Sequence, residues 1–126
     1  MNKASNRTKN NLKGVDEKLS LLVGYVLAIS EVDFFVNEGL RTTETQQKYF
    51  KEGSSQLDGV IKKSKHQLGK AIDVYYVGWT NKDDKNDPRW KKLIDTFKIA
   101  GEKLGLNLTF GYDWKSFVDK PHIELK

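Results

Sequence analysis

One aspartate inside an apolar strand limits what this chain can become more than any other feature. The run KAIDVYYV, residues 70–77, is rich in β-branched and aromatic residues and alternates with period two, so it predicts a β-strand. Ile72, Val74 and Tyr76 then share one face, and Ala71, Asp73 and Tyr75 the other. An unpaired ionised carboxylate is very costly in a core. Either the Asp73 face is open to solvent or paired with a lysine, or Asp73 ligates a metal. His66, one of only 2 histidines, stands seven residues earlier in SKHQLGKAIDV. If QLG turns back, which Gly69 permits, both side chains reach the same point.

The C-terminus adds the second histidine. In DKPHIEL, His122 and Glu124 share a strand face, Ile123 and Leu125 point to the core, and Asp119 lies three residues before His122. His122 alone reads as an ordinary surface or core histidine. With His66 and Asp73 it completes a three-ligand zinc set that leaves a fourth position for water, the pattern of catalytic rather than structural sites. Such a site needs a general base, and Asp119 and Glu124 both compete for that role. There are 0 cysteines, so thiolate zinc sites and disulfide staples are excluded.

The remaining pattern places these residues in a fold. Residues 1 to about 13 are polar and read as an arm or an irregular lead-in. Leu19, Leu22, Val23, Val26, Leu27 and Ile29 follow a 3.6-residue period, predicting a core-facing helix over 15–29. A strand follows at 33–40, then a short helix in RTTETQQKYFKEG with Thr43 and Gln46 at capping-box spacing. Residues 53–65 read as a long surface loop. Asp87 and Pro88 start a helix to about Leu104, with Trp90, Leu93, Ile94, Phe97 and Leu104 inward. LNLTF and PHIEL close the chain as strands. The expected fold is α+β, one domain with a largely antiparallel sheet packed with helices.

At 126 residues the chain suits one domain, and no apolar run nears the roughly 20 residues of a bilayer span. The basic N-terminus is followed by no apolar segment, so no secretory signal is expected. The formal charge of +5 favours an anionic partner: nucleic acid, anionic lipid or an acidic wall polymer. No nucleic-acid recognition motif is present, and the aromatics fall mostly at core spacing.

SKHQLGKAIDV resembles the Ser-x-His-x-x-Gly-x-Ala-x-Asp motif of the D-alanyl-D-alanine carboxypeptidase and L-alanyl-D-glutamate peptidase family of zinc peptidases. GLRTTETQ resembles the family's Gly-x-Arg-(Ser/Thr)-x-x-x-Gln segment, and FGYDWKSFVDKPHIEL its closing segment, which is most similar to phage endolysins. The matches run in family order over about residues 12–126. The hedgehog-like fold and one zinc ion on His66, Asp73 and His122 are what the resemblance implies. It also implies that Asp119, not Glu124, takes the proton from a zinc-activated water and passes it to the leaving amine. Arg41 matches an arginine that contacts substrate or the developing oxyanion. Gln46 and Ser64 match positions that support or orient substrate, although Gln46 serves equally well as a cap. Tyr112 and Lys120 depart from the pattern and alter cleft shape without removing a ligand.

The expected activity is cleavage of the L-alanyl–D-glutamate bond in peptidoglycan by a monomeric endolysin-like enzyme. A D-alanyl-D-alanine carboxypeptidase or dipeptidase with the same zinc set is the alternative. A binding module that keeps zinc without catalysis is a third reading, which retention of Asp119 opposes. The resemblance implies residence in the host cytoplasm until a holin opens the route to the wall, with no membrane insertion. Lys62, Lys63 and Lys65 beside the site then attract the anionic wall.

Overall fold

The strand parity that Asp73 imposes is the organising feature of the sheet. In the computed structural model, which describes residues 2–83 and 85–126, the order is α1 (Asn6–Asn11), α2 (Glu17–Ile29), β1 (Phe34–Glu38), α3 (Thr43–Lys51), β2 (Ala71–Tyr76), α4 (Pro88–Lys103), β3 (Leu108–Phe110) and β4 (His122–Leu125). The strands form one antiparallel sheet in the order β1-β2-β4-β3. The fold is α+β.

One sheet face is the core. Ile72, Val74 and Tyr76 of β2 and Ile123 of β4 are wholly buried against Leu19, Leu22, Val23 and Val26 of α2 and Leu93, Ile94 and Phe97 of α4. Phe97 meets Phe34 of β1 edge-on, with ring centroids 5.3 Å apart. Two expected core positions differ. Ile29 is the last residue of α2 and is exposed; Leu104 caps α4 and is half-buried. Asp87 caps α4 as expected, its carboxylate accepting from the Arg89 backbone N–H.

Within the polar lead-in, Asn6–Asn11 form a helix rather than irregular chain. Ser5 caps α1, and α1 lies along the outer edge of β1. Buried Thr8 accepts a hydrogen bond from the Val36 backbone N–H at 3.0 Å, so polar residues satisfy an otherwise open sheet edge. A polar segment can therefore be structural without an apolar period. The α3 cap also differs: Thr42, not Thr43, accepts from the Thr45 N–H at 3.1 Å. That turn leaves Gln46 free to face inward, where it is wholly buried.

Candidate metal centre and cleft

Antiparallel register brings the two far-apart motifs together. Asp73 of β2 sits directly opposite His122 of β4, and Ala71 opposite Glu124, on the sheet face away from α2 and α4. His66 arrives from the turn before β2, which Gly69 closes at φ +69°. One ligand atom from each of His66, Asp73 and His122 lies within 4.8 Å of the other two. His66 Nε2 is 3.2 Å from Asp73 Oδ1, and His122 Nδ1 is 3.4 Å from the same oxygen.

The other ring nitrogens decide which lone pairs are free. His66 Nδ1 lies 2.8 Å from the Gly39 carbonyl, which can only accept, so Nδ1 carries the proton and Nε2 is the free donor atom. His122 Nε2 lies 2.7 Å from Glu124 Oε1, which leaves Nδ1 facing Asp73. Two imidazole lone pairs and one carboxylate thus converge, each imidazole oriented from behind, as in a metal site with its outer hydrogen bonds in place. The nitrogen and oxygen donor set fits zinc. Glu124, which competes with Asp119 for the base role on residue type alone, is the group that orients His122.

In the metal-free site, where the ring nitrogens facing Asp73 can carry protons in place of lone pairs, the same three groups are coupled. Burial raises the Asp73 carboxyl, but hydrogen bonds from His122 and His66 and their charge outweigh it, holding it far below the usual carboxylate range. Burial lowers His122, yet Asp73 and Glu124 raise it to about 9. Asp119 is half-buried on the cleft wall, held by its N–H to the Gly111 carbonyl at 3.1 Å. Burial, then the charge of Asp73, push its carboxyl up, which makes it a better proton acceptor. Burial and Asp73 likewise push Tyr75 up to about 12, so its hydroxyl stays protonated at the cleft.

His66, Asp73 and His122 lie in a cleft of about 640 Å³ that also includes Arg41, Ser64 and Asp119. Arg41 is not a surface arginine: its side chain is 10% exposed, paired with Glu38, and 4.0 Å from Asp73 Oδ2. Its Nη1 donates to Gln46 Oε1 at 2.6 Å, while the Gln46 amide donates to Ser55 Oγ and the Leu57 carbonyl. The Ser64 hydroxyl accepts from the Gln67 N–H at 3.3 Å within the turn that carries His66. Trp114 lies at the cleft rather than in the core, its ring centroid 5.2 Å from that of His122. The departing residues touch: the Lys120 ammonium sits 5.5 Å from the Tyr112 ring centroid, outside the ligand set.

Sequence reasoning missed Glu38 and Tyr49. Glu38 pairs with Arg41 and accepts from the Tyr49 hydroxyl, and Tyr49 lies under the Arg41 guanidinium at 4.7 Å. Strict alternation puts Glu38 on the core face with Phe34 and Val36. A bulge between Val36 and Glu38 shifts the register, so Glu38 pairs with Asp73 and turns to the site. Only the three-residue spacing from Glu38 to Arg41 hinted at this pair.

Residues 1–126 match the family described as phage L-alanyl-D-glutamate peptidase. The chain is 32% identical to the L-alanyl-D-glutamate peptidase of Escherichia phage T5, covering 98% of this chain and 89% of that one. It is 28% identical to the peptidoglycan L-alanyl-D-glutamate endopeptidase CwlK of Bacillus subtilis (strain 168), over 75% of this chain and 61% of the relative. The crystal structure of the Serratia marcescens L-Ala D-Glu endopeptidase ChiX superposes with a TM-score of 0.82 at 28% identity, covering 96% of this chain and 87% of that one. With the motifs in order, the same fold and a match along the whole chain, this protein belongs to the phage L-alanyl-D-glutamate peptidase family.

Proposed function

We propose that this chain is a zinc-dependent peptidase that hydrolyses the L-alanyl–D-glutamate bond of peptidoglycan stem peptides. The observation that carries this reading is the convergence of His66, Asp73 and His122 at the floor of a cleft that also holds Asp119. The relatives named for that bond give the substrate. His66 Nε2, an Asp73 oxygen and His122 Nδ1 would hold one zinc ion. When bound, zinc supplies Lewis acidity, which polarises a carbonyl and makes water acidic near neutral pH.

The chain's own residues do the rest. Asp119 accepts the proton of the attacking water and returns it to the leaving amine nitrogen. Arg41 lies ready to stabilise negative charge developing on the carbonyl oxygen, and its ties to Glu38 and Gln46 mean it need not reorganise. Gln46 serves by fixing Arg41 and the loop at 55–57; Ser64 serves by shaping the turn under His66. Lys63 and Lys65 line the cleft and attract anionic stems. No helix among the described residues is long and apolar enough to cross a membrane. Action as a monomer on the wall, after a holin releases the protein from the host cytoplasm, is part of the same proposal.

Product analysis on defined muropeptides, with and without a chelator, tests this. A new N-terminal D-glutamate, formed only without chelator, is expected. Released D-alanine instead would mark a D-alanyl-D-alanine carboxypeptidase or dipeptidase and overturn the bond assignment. Asp119→Ala should keep metal affinity and lose about 10²- to 10⁴-fold in kcat; unchanged turnover would remove Asp119 from the mechanism.

A further inference from the structure

The N-terminal segment lies outside the cleft, yet it is tied to the residues that hold His66. The β1 bulge leaves Asn37 unpaired between Val36 and Glu38. The Asn11 side-chain amide donates to the carbonyls on either side of that distortion, Val36 O at 2.8 Å and Asn37 O at 3.1 Å. Two residues further on, Gly39 is pressed against the end of α1: a Cβ there would stand 2.0 Å from the Asn11 carbonyl. Gly39 in turn offers its carbonyl to His66 Nδ1, and the Arg41 N–H donates to the His66 carbonyl at 3.0 Å. An unbroken series of contacts therefore runs from Asn11 through the bulge to the back of one ligand ring.

We propose that Asn11 is a positioning residue for the metal centre. Its amide holds the bulge that turns Glu38 into the cleft and sets the Gly39 carbonyl against His66, fixing the tautomer and angle of that ring. A bulged strand has lost part of its ladder and needs outside hydrogen bonds to keep its shape. Groups behind a metal ligand commonly affect affinity by 10- to 100-fold. The inference rests on the reading of His66 as a metal ligand.

The test is cobalt(II) titration of the full chain, followed by the visible absorption of the bound ion and by calorimetric Kd, with kcat and KM on the zinc form. Asn11→Ala is expected to weaken cobalt binding about tenfold, change the visible bands, and lower kcat more than KM. Ser5→Ala is the control. It removes the α1 cap and a hydrogen bond to Thr8 but leaves both Asn11 donors to the bulge in place, so it should lower Tm while leaving Kd and spectrum at wild-type values. If Asn11→Ala does not fold, Asn11→Asp, which keeps the shape and loses both donors, must give the same loss. Wild-type Kd and spectrum in a folded Asn11 variant overturn the inference, as does an equal loss in Ser5→Ala. Failure of the wild type to bind cobalt overturns the metal reading itself, and this inference with it.

Discussion

At the scale of single residues, His122 and Asp73 make the metal-free site sensitive to pH in opposite directions. His122 is raised from its ordinary 6.5 to about 9, so its contribution to stability is complete below pH 6.5 and is lost as pH rises through about 9. Asp73 is lowered from 3.8, so its contribution is present above that value and lost as pH falls. In chelator, Tm should therefore decline between pH 6.5 and 9, by several degrees, as His122 loses its proton. Zinc requires the neutral ring, so the Tm gap between zinc-loaded and chelated protein should widen over the same interval. Differential scanning calorimetry across pH checks this; a gap that narrows with pH contradicts the ligand assignment of His122.

At the scale of elements, the two sheet faces carry different tasks and should be separable by substitution. Phe97 docks α4 on Phe34 and is wholly buried, on the face opposite the cleft. Phe97→Ala should cost about 3–5 kcal/mol, read as a lower denaturant midpoint. Zinc affinity of the folded fraction should stay at the wild-type value, since no ligand or orienting contact involves that face; a matching fall in affinity would show that the faces are coupled. The same elements show what was legible in advance. The alternation in β2 and β4 is local, so the separation of Ile72 and Ile123 from Asp73 and His122 could be read directly. Two misjudged elements depend on partners distant in the chain. The α1 helix has no apolar stripe to announce it, and the bulge at Asn37 leaves no mark in residue type.

For the whole molecule, the formal charge of +5 and the cleft lysines Lys63 and Lys65 act over a distance set by salt. Raising ionic strength from about 0.05 to 0.5 M should lower kcat/KM on intact peptidoglycan, mainly through KM, because the screening length shrinks several-fold. Steady-state rates on a short uncharged-end muropeptide should respond less. Equal salt dependence on both substrates would remove long-range attraction as a role for the basic surface.

The sequence by itself determined which groups are on hand for the proposed chemistry: two histidines, a strand aspartate and a preceding acid, with parity that keeps them off the core. These follow from residue type and from periods of two and 3.6, which are properties of a local backbone. Only the tertiary structure decided how the donors are aimed. The proton on His66 is set by Gly39, 27 residues away, and the turn of Glu38 toward Arg41 by a register shift that Asn11 secures from 25 residues upstream. Such hydrogen bonds join segments whose separation no local pattern encodes, so they exist only once the strands have paired and α1 has closed the edge of the sheet.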